Sequence, residues 1–390
     1  MKHILYIIII ISLFFNNLYL NASTKFGSKG LIYVQSARVL PKGYLEFIGG
    51  TRYFGKVANF GSSGNAFTLW NVQGFTSFNY GINSNVELAV SPVIYQDTNN
   101  NEGNALNGAA NVPDKLYVSV KVGCLGAENS NFLFGGLLQT KLPTEKAYNI
   151  IYEPYSAGNV EAGIIGIASY FNNITFPEED WSLHVNLGYW NHYDVGEKLT
   201  NNPNDPEPNS MSSELMFGIG ARFPAGTFDF SGEINGRYFL NRPPVTAYSR
   251  EHVAYLTTGI YYNPYRWLSF HMGIDVKLYA GDDISNYTNT SLPFPDIEDT
   301  PNYPDWRCVL GVKFSILPFS LYTTPESEFQ RDARNKKQLF KRMLEEEQDT
   351  ENVEDEVEKL RQKRLKIEKE LERIRKLLEQ EEQKKKKKKK

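Results

Sequence analysis

From residue 44 to residue 316 apolar and polar positions alternate in twelve runs, and a period of two predicts β-strands. The runs cover 44–54, 66–79, 86–95, 114–123, 131–141, 160–171, 181–192, 213–223, 228–239, 252–262, 267–279 and 305–316. In the stretch LSFHMGIDVKLYAG, residues 268–281, Leu268, Phe270, Met272, Ile274, Val276 and Leu278 fall on one face, and Ser269, His271, Gly273, Asp275, Lys277 and Tyr279 on the other. Residues 181–189 set Trp181, Leu183, Val185, Leu187 and Tyr189 against Ser182, His184, Asn186 and Gly188. Residues 215–223 oppose Leu215, Phe217, Ile219, Ala221 and Phe223 to Met216, Gly218, Gly220 and Arg222. Residues 116–123 do the same with Leu116, Val118, Val120 and Val122 against Tyr117, Ser119, Lys121 and Gly123.

Most of these runs are longer than the strand mode of about 5 to 6 residues and match the roughly 9 to 11 that cross a bilayer on a tilt. One unbroken apolar face per strand, opposed by a polar, Gly-rich face, is the pattern of a transmembrane barrel with lipid outside and a polar interior. The connections alternate too. Gaps 80–85, 124–130, 172–180, 224–227 and 263–266 are short, whereas 55–65, 96–113, 142–159, 193–212, 240–251 and 280–304 are longer and rich in Asn, Pro, Asp, Gly and Ser. Short periplasmic turns and long external loops would produce this alternation, with both ends of the barrel on the periplasmic side. The predicted fold class is therefore an all-β transmembrane barrel of about twelve antiparallel strands. Aromatics near run ends, Tyr53, Phe78, Tyr80, Trp181, Tyr189, Tyr255, Tyr261 and Phe314, read as interface girdles.

Composition agrees: 14% of residues are aromatic, with 24 Tyr and 24 Phe, and 30 are Gly. The chain opens as a secretory signal peptide over residues 1–23, with Lys2 and His3, an apolar run from Ile4 to Phe15, and small residues at Ala22 and Ser23. At about a dozen residues that run is short of the roughly 20 a spanning helix needs. Cys124 and Cys308 make no disulfide framework, and the barrel topology places them too far apart to pair.

Residues 30–47, GLIYVQSARVLPKGYLEF, resemble the first segment of Gram-negative outer-membrane barrel proteins, including the family linked with exopolysaccharide secretion. Gly30, Leu31, Ile32, Ser36, Ala37, Arg38, Leu40 and Gly43 carry the likeness, and YGINSNVELAV and KLPTE look like hairpin and loop-edge segments of porin-like proteins. The resemblance implies a barrel over 24–322 in outer-membrane lipid and brings no catalytic residue with it.

Alternation turns a set of ionisable residues inward: Glu46, Arg52, Glu87, Lys121, Glu161, His184, Arg222, Glu233, Arg237, His271, Asp275, Lys277, Arg307 and Lys313. They are the candidate pore lining. Opposed charges at these positions would either pair and plug the lumen or border a narrow water path. Two functions stay open on these grounds: a porin-like channel for passive passage of small solutes, and a non-conducting anchor. An enzyme would need a nucleophile and an inward His beside a carboxylate such as Asp275 or Glu233. His184, His192, His252 and His271 lack metal-site spacing, and neither a metal nor a cofactor is expected.

Composition changes near residue 323. Beyond 326 there is no Gly and no Pro, and Glu, Lys, Arg, Gln and Leu dominate, which predicts a helical tail over 323–390. Val353, Val357, Leu360, Ile367, Leu371, Ile374 and Leu378 follow heptad spacing, interrupted by Arg364, so the tail reads either as a short coiled coil able to self-associate or as one solvated helix. Residues 345–358 are acidic, and Lys384, Lys385, Lys386, Lys387, Lys388, Lys389 and Lys390 end the chain. In the periplasm, where nucleic acid is absent, such a run would meet the cell wall, an anionic head group or an acidic protein. A disordered solubilising end is the plain alternative.

Overall fold

The computed structural model describes residues 24–319, apart from 26, 61–64, 101–108, 128–129, 147, 175–176, 200–206, 283 and 286–301, together with residues 360–373. The chain divides into two units, residues 1–325 and 326–390. The signal-peptide reading, most of the heptad seam, the acidic block and the lysine run lie outside the described residues.

The first unit holds β1 (Leu45–Phe60), β2 (Asn65–Gly81), β3 (Val86–Asn100), β4 (Ala109–Asn111), β5 (Lys115–Leu125), β6 (Phe132–Pro143), β7 (Glu161–Phe171), β8 (Ser182–Asn191), β9 (Ser213–Ala225), β10 (Phe228–Asn241), β11 (Val253–Tyr265), β12 (Leu268–Ala280) and β13 (Trp306–Leu317). Every pairing is antiparallel between neighbours, and β1 pairs with both β2 and β13, so the sheet closes on itself. The three-residue β4 pairs only with β3, leaving a closed barrel of twelve strands. Closure matters because an open sheet in lipid would leave a row of backbone donors and acceptors unsatisfied.

The strand ends correct part of the sequence reading. Rungs from Gly55↔Trp70 to Phe60↔Asn65 extend the β1–β2 hairpin through residues 55–60, and β3 continues to Asn100, so these stretches of expected loop are strand. Gly55, Lys56 and Asn59 break the apolar alternation there, but ladder hydrogen bonding needs no apolar face.

Side-chain exposure follows the alternation. On β12, Phe270, Met272, Ile274, Val276 and Leu278 are each 44–53% exposed, while Ser269 and Asp275 are buried. On β8, Leu183, Val185, Leu187 and Tyr189 are exposed and Ser182, His184, Asn186 and Trp190 buried. A continuous apolar belt with its polar residues turned inward inverts the soluble rule and fits a lipid surround. Two of the expected girdle aromatics sit elsewhere: Tyr255 and Tyr261 are both 3% exposed and face the lumen. They share parity on β11 with Val253, Thr257 and Gly259, opposite to the outward Ile260.

Residues 360–373 form a helix, α1, whose residues are all exposed within the single chain. Arg364, at the inward heptad position, pairs at 3.2 Å with Glu368 one turn on.

Candidate functional site

The barrel is not empty. Residues 24–40 add no rung to it and lie inside it, with Leu31, Ile32, Val34, Ala37 and Leu40 at 0–2% exposure. The segment is folded on itself: Leu31 N donates to Val34 O at 2.8 Å, Lys25 N to Ile32 O at 2.9 Å and Ser36 N to Lys29 O at 3.0 Å, and Gly30 bridges Gln35.

A buried segment without a ladder must find other partners for its amides, and polar side chains of the barrel wall supply them. Glu233 accepts from three consecutive amides, Ile32 (2.8 Å), Tyr33 (2.9 Å) and Val34 (2.7 Å). Glu87 accepts from Lys29 N at 3.1 Å and Leu40 N at 2.9 Å. Asn186 pairs reciprocally with Gln35, accepting from its amide at 2.6 Å and donating to its carbonyl at 2.9 Å. Asn79 takes Ser28 N, Ser169 takes Ala37 N, and Lys121 Nζ donates to Lys29 O at 2.7 Å. Apolar contacts fill in between, with Ile32 packed among Ile48, Phe75, Tyr261 and Val309, and Ala37 among Leu137 and Ile167.

The inward glycines gain a specific meaning from this. A Cβ at Gly220 would stand 2.6 Å from Leu31 Cδ1, one at Gly273 2.4 Å from Ile32 Cδ1, and one at Gly123 2.3 Å from Ala37 O. They leave the width that the segment fills. The Gly-rich face read from the sequence as a polar lumen is in part the seat of a plug.

Charges close both ends. Glu178, in the β7–β8 turn, meets Lys29 at 2.9 Å, Arg38, and Arg222 at 3.1 Å, which ties the segment to the short-turn end. Burial pushes the Glu178 carboxyl up, but Lys29, Arg38 and Arg222 outweigh it and hold it well below the carboxylate range. Burial also brings Lys29 down to about 8. At the long-loop end Glu153 reaches down to Arg52 (2.8 Å), Asn71 (3.1 Å) and Gln73 (3.2 Å). Burial raises its carboxyl, and Arg52, Lys115 and Lys25 outweigh that effect, leaving it at about 2. Around it the outer loops pack into a roof: Tyr155, Ala157, Leu199 and Ala247 cluster on Phe239, and Tyr303 on Val253 and Tyr255.

All fourteen residues expected in the lumen are turned from the lipid face, buried or half-buried. The structure pairs Glu46 with Lys313 (3.7 Å) and Asp275 with Arg307 (2.9 Å), and sets Glu87 opposite Lys121 in register. Other partners come from residues that sequence reasoning missed: Asp229 for Arg222, Glu214 for Arg237, Lys141 for Glu161, Glu153 for Arg52, and Asp305 for Lys277 at the rim. Asp229 shares parity with Glu233 on β10 and Glu214 with Arg222 on β9, while Lys141 alternates with the exposed Leu138 on β6, so alternation could have found all three. Glu153 and Glu178 lie in aperiodic connections and carried no such signal.

Between the plug and the roof remains a cavity of about 180 Å³. Arg52, Glu161, Arg237 and Arg307 border it, as do Lys25, Lys115, Lys141 and Glu153. His184 and His271 do not. His184 stands between Ser169 (2.8 Å) and Ser182 (3.1 Å) with no carboxylate at hydrogen-bond distance, and His271 packs beside Tyr261. No group of three or more potential metal ligands occurs among the described residues. Cys124 and Cys308 are both free thiols.

Fold and lumen together define a closed transmembrane β-barrel occupied by residues 24–40 of its own chain. No family model matches the chain and no curated protein matches its sequence. Among solved structures it is similar to the NanC porin, at 8% identity over 68% of this chain and 98% of that one, with a TM-score of 0.42. It is also similar to the toluene transporter TbuX of Ralstonia pickettii (10% identity, 76% and 95% covered, TM-score 0.35) and to the outer-membrane channel DcaP of Acinetobacter baumannii (10%, 70% and 96%, 0.29). These likenesses are loose, and the functional reading rests on this chain's own lumen.

Proposed function

We propose that this chain is an outer-membrane channel for small polar solutes, held shut in this structure by residues 24–40. The observation that supports the reading is the cavity inside the barrel, bordered by ionisable side chains and closed on one side by a segment that contributes no strand and is held chiefly by side-chain hydrogen bonds. A barrel that served only as an anchor would need no solute-sized polar space. In this reading the short turns and residues 323–390 face the periplasm.

A second reading, a non-conducting anchor whose tail holds the cell wall, an envelope protein or another copy of the tail, draws on the closure of both ends and on α1. Leu360, Ile367 and Leu371 of the heptad seam are each 58–64% exposed. The likeness of residues 30–47 to the exopolysaccharide-linked barrels would place such an anchor in an export assembly.

The test is planar-bilayer conductance of the refolded chain beside one lacking residues 24–40. Conductance only after the deletion supports a plugged channel, and conductance in both supports a pore that needs no release. Silence in both, from protein with barrel circular dichroism, favours the anchor.

A further inference from the structure

The wall of the 180 Å³ cavity is unevenly charged. Six cationic side chains border it, Lys25, Arg52, Lys115, Lys141, Arg237 and Arg307, against the two carboxylates of Glu153 and Glu161. Asp114, Glu214 and Asp275 balance three of the cations from behind the wall, at 3.4 Å for Lys115–Asp114 and 2.9 Å for Arg307–Asp275. Five carboxylates in all stand against six cationic groups, a small positive excess that favours an anion over a cation.

Two unpartnered atoms sharpen this. Arg52 is 4% exposed and gives Nη2 to Glu153 at 2.8 Å, yet its buried Nε–H has no acceptor. Gln35, 5% exposed, gives its amide nitrogen to Thr24 Oγ1 at 2.8 Å, and its buried Oε1 has no donor. Both residues border the same cavity. Buried polar atoms left open ask for a partner, and of those among the described residues these two alone belong to side chains that line the cavity. One open donor on a guanidinium suits a carboxylate oxygen, because guanidinium and carboxylate match in shape and charge. One open acceptor suits a hydroxyl. A cavity of about 150 Å³ takes a benzene-sized molecule, so one of about 180 Å³ has the space of a small organic acid. Tyr33 and Tyr255 on the wall offer apolar surface to its carbon skeleton.

We infer that the lumen cavity is a binding site for a small hydroxycarboxylate, its carboxylate on Arg52 and its hydroxyl on Gln35. The inference names the solute class for the channel proposed above and rests on that reading for its biological meaning, but binding does not require conduction.

The experiment is calorimetric titration of the full-length protein in detergent at low salt with L-malate, malamide and succinate. Saturable malate binding is expected, weakened about tenfold or more with malamide, which lacks the charge, and severalfold with succinate, which lacks the hydroxyl. Arg52→Gln should lose malate binding, Arg52→Lys should recover part of it, and Lys198→Gln, at an exposed loop position, should keep it. If malamide binds as tightly as malate, the anion site is wrong; if succinate does, the hydroxyl contact is wrong. Should Arg52→Gln not fold, the three ligands on the unaltered protein still decide. Malate binding by a protein silent in the bilayer with and without residues 24–40 would keep the site and remove the channel. Conductance without malate binding would keep the channel and remove the site.

Discussion

Glu233→Ala is the sharpest perturbation of the plug. The Glu233 carboxylate accepts the amides of Ile32, Tyr33 and Val34 at 2.8, 2.9 and 2.7 Å. A net intramolecular hydrogen bond contributes ~0.5–1.5 kcal/mol, and a buried donor left open costs ~1–3 kcal/mol. The space around Ile32 is filled by Ile48, Phe75, Tyr261 and Val309, so water has little room to replace the lost acceptor. Taking the lower half of these ranges, because a short segment relaxes more readily than a strand, the docked state loses ~3–6 kcal/mol. At ~1.4 kcal/mol per factor of ten, the ratio of docked to released segment falls by about a hundredfold to ten-thousandfold. Glu233→Gln keeps one acceptor oxygen and should fall between the two. Hydrogen exchange of amides 32–34, followed by mass spectrometry, reads that ratio directly, and bilayer conductance measured alongside shows whether release opens a path. If amides 32–34 exchange as slowly in Glu233→Ala as in the unaltered chain, the three bonds are not what holds the segment and the reasoning fails.

Gly123→Ala should loosen the far end of the segment by ~1–3 kcal/mol, since its Cβ would meet a backbone oxygen, Ala37 O, at 2.3 Å. Gly232→Ala, with nothing within 4 Å of the new methyl, is the matched control, and faster amide exchange at Ala37 in the first variant alone is the expected result. The roof should weaken in acid. The Glu153 carboxyl lies at about 2 in the folded chain against about 4.3 unfolded, so its contribution, ~3 kcal/mol, is complete above about pH 5 and is lost as pH falls toward 2. Protection of amides 149–157 measured against pH should follow that slope, and Glu153→Gln should flatten it. Cys124 and Cys308 should both react with a thiol reagent in the unfolded, unreduced protein; a Cys124–Cys308 disulfide found by peptide mapping would contradict the strand topology.

The barrel was legible because a strand between lipid and lumen has two unlike faces, and alternation alone fixes which side chain goes where. Where the faces become alike the signal fails while the structure persists, as at residues 55–60, which the β1–β2 ladder continues through. Tyr255 and Tyr261 show the opposite error. Proximity to a strand end suggested a girdle, but parity with Thr257 and Gly259 on β11 already turned them inward. The plug could not be read this way. Residues 24–40 have no period, because their backbone is satisfied by Glu233, Glu87, Asn186 and Ser169 from four distant strands, and such contacts leave no local trace. The inward glycines were the one visible sign. A lumen that only conducted water would have no steric need for Gly123, Gly220 and Gly273 on the inner face.

The two parts of the lumen differ in how they are held, and that difference bears on what moves. Each strand of the ring is laddered to both neighbours, without a register shift between β10 and β11 from Phe228↔Tyr262 to Arg237↔Val253, and breaking one pairing would open the ring to lipid. Residues 24–40 are joined to the wall by separate bonds, chiefly from side chains and with one backbone bond from Cys124 N to Ala37 O at 2.7 Å, and a segment that leaves the lumen toward an aqueous compartment can exchange those bonds for water, at a net cost near ~1 kcal/mol each rather than the several of an amide left bare in hydrocarbon. The wall groups Glu233, Glu87 and Asn186 would then be hydrated in an open lumen, where polar side chains belong. Each partner in the docked state thus has a solvated alternative, which no strand of the barrel possesses. The surrounding physics therefore permits release of the segment where it forbids release of a strand, and Glu178, which joins Lys29 and Arg38 of the segment to Arg222 of the wall, is the contact that must break for it to leave by the short-turn end.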